Sequence, residues 1–325
     1  MNGRENMLAT IHRAPHDHVS NVTNVCMVGA NAETFEIGPW GGGYDGYGVN
    51  WIASDTGLGA SLPAPGSAIL EDVTEWKKIV KFPDITKIDW EGMAREQLKT
   101  FDPENQVLDY VMMTGPFMRT VHLMGFEDAL ISFVSEPEAC SELFNAITDY
   151  RINMLEYIVK YYKPDMICIG EDFATDRDLF MSPQIYRDLL KPCHERFNEA
   201  VKSYGIVPSI HICGKCDTIV PDLVDIGTGV WEICEPSNDL VKLQESYKND
   251  IVFYGGYNFK GPMSYGEPTE EELRQSVRDA IDKYAPAGNF ALMQALIVQD
   301  PAKMGYRMGV LIDEAIKYGH NYYRR

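Results

Sequence analysis

The sequence lacks an excess of basic residues and lacks any long apolar run. Asp and Glu number 48 against 29 Lys and Arg, which gives a net charge of −19 at pH 7. Proteins that bind nucleic acid carry a basic patch or stripe, so this balance argues against a nucleic-acid partner. No run reaches the roughly 18 apolar residues of a membrane span, and the N-terminus has no apolar core of signal-peptide length. We therefore expect a cytoplasmic protein without a membrane segment.

Cysteine is absent after Cys234, although the chain contains seven. Without an export signal, such thiols are expected to be reduced, and some of them to bind metal. His211 and Cys213 follow an apolar run at residues 206–210 that predicts a short buried strand. Residues at i and i+2 of an extended segment point to the same side, so this pair presents a nitrogen and a sulfur to one ion. Zinc prefers such ligands, and we predict a metal site here.

Strand and helix signals alternate along most of the chain. Strands are predicted at residues 107–113, 166–169, 206–210, 229–233, 251–254 and 289–293. Helices are predicted at residues 137–162, 217–226, 240–247, 269–284 and 303–318, and after an N-cap at Ser182. This alternation indicates a parallel α/β sheet. Because no linker interrupts residues 1–325, a single closed barrel is favoured over two domains.

Polar residues recur where the predicted strands end, which is where barrel enzymes place their active sites. These positions are Glu171 and Asp172, His211 and Cys213, Glu232, Cys234 and Glu235, Tyr257 and Asn258, and finally Gln294, which follows the apolar Met293. For Glu171 and Asp172, capping of the next helix is an alternative. Met113 and Met293 are expected to line an apolar pocket, and Trp231 and Tyr257 to pack either a substrate ring or only the barrel rim. The glycine-rich residues 41–46 precede no convincing helix, so we expect a flexible loop over the barrel opening rather than a dinucleotide site.

Several short segments carry a family resemblance. They are Arg4-Glu5-Asn6-Met7-Leu8-Ala9, Tyr47-Gly48-Val49-Asn50-Trp51, Gly170-Glu171-Asp172-Phe173, Ser182-Pro183-Gln184-Ile185-Tyr186-Arg187, His211-Ile212-Cys213-Gly214 and Tyr254-Gly255-Gly256-Tyr257-Asn258. With them the chain resembles the uroporphyrinogen decarboxylase superfamily, and within it the cobalamin-dependent methyltransferases.

The resemblance implies a (β/α)8 TIM barrel with an N-terminal helical extension. It implies zinc as a cofactor, a corrinoid carried by a partner protein, and transfer of a methyl group between that corrinoid and a small substrate. The substrate would be a methoxylated aromatic, a methylamine or a thiol. His211 and Cys213 match the first two zinc ligands of the family. Glu171, Asp172 and Asn258 are expected in the catalytic machinery, and Gln294 in the substrate pocket.

The third zinc ligand of the family is a late cysteine, and its position falls on or near Leu296 in this chain. Cys234 and Glu232 are the favoured replacements, with Cys216, Glu235 and Glu171 as alternatives. If the metal site is incomplete, the chain would be a barrel that binds a ligand or a corrinoid. A further alternative is a decarboxylase of the uroporphyrinogen type, but residues 30–46 contain none of the arginines that such enzymes use there.

Overall fold

The computed structural model describes residues 1–29, 36–39, 41–53 and 61–324. Its strands are β1 (Ser20–Asn21), β2 (Val25–Gly29), β3 (Gly42–Tyr44), β4 (Asn50–Ala53), β5 (Ser61–Pro63), β6 (Val107–Met112), β7 (Met166–Gly170), β8 (Val207–His211), β9 (Val230–Cys234), β10 (Val252–Gly256) and β11 (Phe290–Met293). Its helices are α1 (Gly3–Ile11), α2 (Trp76–Ile79), α3 (Trp90–Gln97), α4 (Pro116–Met124), α5 (Phe126–Ser135), α6 (Pro137–Tyr162), α7 (Pro183–Ile185), α8 (Lys191–Ser203), α9 (Val220–Asp225), α10 (Leu240–Ser246), α11 (Pro262–Tyr265), α12 (Glu270–Tyr284) and α13 (Pro301–Gly319).

Eight of the strands form one parallel sheet in the order β1-β11-β10-β9-β8-β7-β6-β2. The strands at the two ends of this order, β1 and β2, are separated in the chain only by the turn at Val22–Asn24. The two edges of the sheet must therefore lie close together, and the sheet curves into a barrel with helices outside. The predicted α/β barrel of the TIM type is confirmed.

Local signals determine where several helices begin. Ser182 accepts a hydrogen bond from the backbone N–H of Ile185 at 3.2 Å, and Pro183 occupies the first turn. Thr269 and Glu272 form the capping box of α12. Among the described residues, no helix combines the length and apolar character that crossing a bilayer requires.

The barrel strands alternate between an inner and an outer face. The apolar cluster at the strand starts contains Val25, Val107, Met166, Val230, Val252, Tyr254 and Ala291. Met7 and Ile11 of α1 pack against this cluster, so the N-terminal helix covers the amino-terminal end of the barrel. The intervening residues, such as Leu108 and Ile210, belong to a larger core between the strands and the outer helices. The opposite, carboxyl end of the barrel is here called the barrel mouth. Because α1 covers the other end, side chains at the mouth are available to form a site.

The glycine-rich segment differs from the expected loop, because Gly42–Tyr44 form β3 in a three-stranded antiparallel sheet with β4 and β5. Buried ion pairs tie Asp45 of this segment and the preceding Glu36 to the outer helices. Arg119 of α4 bonds Asp45 at 2.8 Å, and Arg151 of α6 bonds Glu36 at 2.5 Å. The guanidinium group of Arg119 also lies 4.0 Å from the ring centre of Tyr47. These charges are paired inside the protein rather than directed at a ligand.

Candidate metal centre

Three side chains with metal-binding atoms meet at the barrel mouth. Asp172 follows β7, His211 ends β8, and Cys213 follows it after one residue. Their donor atoms all lie within 4.8 Å of one another. Cys213 Sγ is 3.6 Å from His211 Nε2, and Asp172 Oδ1 accepts a hydrogen bond from the Cys213 backbone N–H at 2.9 Å. The structure thus brings together the two predicted ligands and adds Asp172, which the sequence analysis had assigned to catalysis.

The donor set of this cluster fits zinc. One imidazole nitrogen, one sulfur and one carboxylate oxygen are ligand types that zinc accepts, and three protein ligands leave a position for substrate, as in catalytic sites. All three residues are half-buried, so the group is shielded yet reachable. In the part of the chain that the structure describes, no second group of three such side chains lies close enough to hold an ion.

The surroundings of Cys213 favour the protonated form of its thiol. Burial raises the pKa of the Cys213 thiol, and the carboxylates of Asp172 and Glu235 raise it further, while Lys260 opposes them. Without a metal, the thiol therefore holds its proton at neutral pH. A bound divalent ion adds local positive charge and deprotonates a coordinating thiol.

Glu171 is placed elsewhere, although it is the immediate neighbour of Asp172. Its carboxylate is fully buried and accepts hydrogen bonds from the backbone N–H groups of Phe117 at 3.2 Å and Met118 at 3.0 Å. His194 Nε2 lies 2.9 Å from the same group. Glu171 therefore stabilises the start of α4, which precedes it in the chain. It does not cap the following helix, which was the alternative role expected from the sequence. A catalytic role for Glu171 stays a prediction that this placement does not favour.

The structure does not bring the two favoured third ligands, Glu232 and Cys234, into the cluster. Ile233 has a positive φ of 51°, and the β9–β10 register shifts beside it. Such a bulge reverses the alternation of the strand, so Cys234 packs into the outer core. Glu232 lies before the bulge and is fully buried, and its Oε1 accepts a hydrogen bond from Ser209 Oγ at 2.6 Å.

Residues predicted for the substrate pocket and catalysis divide between two environments. Trp231 and Tyr257 belong to the outer core, and the Tyr257 hydroxyl is 2.8 Å from Ser276 Oγ of α12. Met293 packs on the inner face of the barrel. Gln294 is buried, and its side-chain amide has no hydrogen-bond partner among the described residues. Met113 and Asn258 are exposed where they follow β6 and β10. Met113 and Met293 therefore remain the better placed apolar residues for a pocket.

A buried acid pair lies inside the barrel and was missed by the sequence analysis. Asp109 of β6 and Glu232 of β9 are both fully buried. Burial raises the pKa of Asp109 well above its usual range, and the charge of Glu232 and a hydrogen bond with it raise the pKa further. Two buried carboxylates disfavour each other's ionised form, so this environment favours protonated Asp109. The available signal was an aspartate in the middle of the apolar run at residues 107–113.

Comparisons with known proteins agree with this architecture. The family model for uroporphyrinogen decarboxylase (URO-D) matches residues 56–295. A methyltransferase from Methanosarcina mazei is similar in structure, with a TM-score of 0.68 and 14% identity over 98% of this chain and 99% of that one. A B12-independent methionine synthase from Shewanella sp. W3-18-1, in complex with selenomethionine, has a TM-score of 0.49 and 13% identity over 74% of this chain and 69% of that one. No curated protein matches the chain. At 14% identity, the likeness to the Methanosarcina mazei structure supports the fold alone.

Proposed function

Because this chain belongs to the uroporphyrinogen decarboxylase family, we propose that it is a zinc-dependent methyltransferase. In this proposal it moves a methyl group between a corrinoid, carried by a partner protein, and a small substrate. The observation that carries the proposal is the group of Asp172, His211 and Cys213 at the barrel mouth. The fold that the chain shares with a methyltransferase from Methanosarcina mazei is compatible with this class of reaction.

The three side chains have separate roles in this proposal. His211 and Cys213 project from one strand end and would hold the ion from one side. Asp172 approaches from the neighbouring β7 end and would complete the ligand set, so that a barrel with only two ligands becomes the less favoured alternative. Zinc bound there would supply Lewis acidity that keeps a substrate thiol in its thiolate form near neutral pH.

The surrounding residues suit a small substrate with an apolar part. Met113 is 39% exposed at the mouth, and Met293 faces the barrel interior, so both are available to contact a methyl group or an aromatic ring. Decarboxylation of a porphyrinogen would instead need cations free to bind several carboxylates. Arg119 and Arg151, the fully buried arginines of α4 and α6, are already paired with protein carboxylates.

Metal analysis of protein purified without added zinc tests the proposal. We expect stoichiometric zinc in the natural protein and its loss in the His211→Ala and Asp172→Ala variants, with the fold checked by circular dichroism. His12→Ala is the matched control, because His12 is exposed at the end of α1 and α1 covers the opposite end of the barrel. Folded natural protein without metal, or an Asp172→Ala variant with full zinc content, would contradict the assignment.

Methyl transfer is then measured with free cobalamin in place of the partner protein. With methylcobalamin and a thiol, the cobalt–carbon bond breaks, cobalt keeps the electron pair, a sulfur–methyl bond forms and the thiol proton passes to solvent. With cob(I)alamin, a methoxylated aromatic or a methylamine is tested as the donor. Absence of transfer with every substrate, by a protein that contains zinc, would count against the methyltransferase assignment while leaving the metal site intact.

A further inference from the structure

The turn that carries Cys213 is held through its backbone by groups from other loops. Each N–H from Cys213 to Cys216 donates a hydrogen bond, and the acceptors are, in order, Asp172 Oδ1 (2.9 Å), Glu235 Oε1 (2.6 Å), Thr175 O (2.6 Å) and Asn238 Oδ1 (2.9 Å). The side-chain amide of Asn238 also donates to the Gly214 carbonyl at 2.9 Å. Gly214 and Cys216 are buried, so their amides need partners inside the protein, and the neighbouring loops supply them.

Gly214 is the residue on which this turn depends. Its φ is +88°, and a Cβ there would lie 2.6 Å from the Thr175 carbonyl oxygen. The backbone therefore passes through a conformation that other residues disfavour and packs directly against the loop that follows β7. Since Gly214 has no side chain, its position is fixed by its backbone hydrogen bonds. Of the bonds that the turn donates to side chains, the one from the Gly214 N–H to Glu235 is the shortest.

Glu235 is itself fixed by a cation. Its side chain is 6% exposed, and one of its oxygens lies 3.0 Å from Lys260 Nζ. Lys260 also pairs with Asp176 at 2.5 Å. Asp176, Gly214, Glu235 and Lys260 follow β7, β8, β9 and β10 respectively, so this set of contacts joins four consecutive loops around the mouth.

We propose that Glu235 is a positioning residue of the metal centre, which acts through the Gly214 N–H to hold Cys213 beside His211. Lys260 keeps the Glu235 carboxylate in place. The inference deepens the proposed function and rests on it in one respect, namely that the ligand held by Cys213 is a metal ion. The hydrogen-bond role predicts that Gln, which keeps an acceptor oxygen, replaces Glu235 better than Ala does.

The experiment compares Glu235→Ala and Glu235→Gln with the natural protein, and uses Glu245→Ala, an exposed residue of α10, as the control. Metal-free protein is titrated with cobalt(II), and the thiolate-to-cobalt absorption band and the dissociation constant are recorded. We expect Glu235→Ala to weaken binding about tenfold to a hundredfold, as does loss of other groups that orient ligands, and to shift the band. Glu235→Gln should bind within a few-fold of the natural protein, with the band unchanged.

A second measurement requires no metal. Hydrogen exchange of the peptide that covers residues 212–217, followed by mass spectrometry of metal-free protein, reports on the turn directly. We expect faster exchange in Glu235→Ala and nearly natural exchange in Glu235→Gln. If Glu235→Ala does not fold, Asn238→Ala, which removes the next acceptor along the turn, replaces it with the same expectations.

The outcomes separate this inference from the proposed function. Natural cobalt affinity and exchange in Glu235→Ala would overturn the positioning role. Equal losses in the Ala and Gln variants would also overturn it, because charge rather than the Gly214 hydrogen bond would then matter. If the natural protein binds no metal, the proposed function fails, and the exchange data alone decide whether Glu235 holds the turn.

Discussion

Replacement of Asp109 by Asn should change how the stability of this protein depends on pH. Asp109 and Glu232 meet inside the barrel, surrounded by Cys168, Ser209 and Tyr254 from the strands between and beside them, all of which are buried. Neither oxygen of Asp109 has a hydrogen-bond donor among the described residues, so nothing stabilises its charged form, and burial near Glu232 raises its pKa and favours the protonated acid. Asn has the shape of a protonated Asp and carries no charge, so it can replace the protonated acid.

The sign and the magnitude follow from proton linkage. The pKa of Asp109 is raised in the folded state by burial and by Glu232, so the folded protein binds a proton that the unfolded chain releases above its ordinary carboxyl pKa. The stabilising contribution is complete below that pKa and is lost as the pH rises towards the folded-state value. In this window the natural protein loses about 1.4 kcal/mol per pH unit relative to a variant without the titrating group. Asp109→Asn should therefore gain stability relative to the natural protein as the pH rises.

Urea unfolding at several pH values measures this difference directly. The free energies of unfolding of the natural protein and of Asp109→Asn are compared from about pH 5 to pH 8, because titrating groups away from the acid pair contribute equally to both and cancel. Glu245→Gln is the control, since it removes one exposed carboxylate from α10 and should give a curve parallel to that of the natural protein. Parallel curves for Asp109→Asn as well would show that the acid pair holds no extra proton in the folded state.

Three further changes test the placement of individual side chains. Glu171→Ala should destabilise the protein by about 3–5 kcal/mol in urea unfolding, because it leaves buried His194 and two helix amides without their acceptor; a loss below about 1 kcal/mol would show that the contact contributes little. Asp45→Ala should cost a similar amount, about 3–5 kcal/mol, because Arg119 would remain charged and buried; natural stability in this variant would mean that water replaces the carboxylate. Cys234→Ser should keep its full zinc content by metal analysis, whereas loss of zinc would return Cys234 to the ligand set.

Features that depend on neighbouring residues in the sequence could be predicted from it. The helix predicted at residues 137–162 is α6 (Pro137–Tyr162), and the helix predicted at residues 269–284 is α12, which begins with a capping box at Thr269. Strand β8 (Val207–His211) differs by one residue from the apolar run that predicts it. Periodicity, caps and turn residues act over a few positions, so the sequence carries them directly. Strand alternation also predicted that His211 and Cys213 face the same side.

The third donor could not be predicted, because it depends on how two adjacent carboxylates are oriented after β7. Glu171 turns towards the start of α4, and Asp172 turns towards β8. No periodicity applies to a loop, so the sequence does not show which of the two carboxylates turns to the metal site. Glu171 is therefore an alternative ligand in the sequence-based prediction, and Asp172 only a catalytic residue. The bulge at Ile233 is equally hidden, because no Gly or Asn signals its positive φ. Strict alternation predicts that Cys234 faces the barrel interior, and one extra residue reverses that prediction.

Because Asp172 lies in the cluster, three candidate ligands are present without the late cysteine of the family. A ligand set of one His and two Cys contains two anionic donors and one neutral donor, and so does the set of Asp172, His211 and Cys213. The exchange of sulfur for oxygen therefore preserves the charge that would balance a divalent ion. It changes the softness of the site, because a carboxylate donates less electron density than a thiolate and suits harder ions. An ion held here would be a stronger Lewis acid than one held by two thiolates, which favours activation of the substrate by the metal over simple tethering.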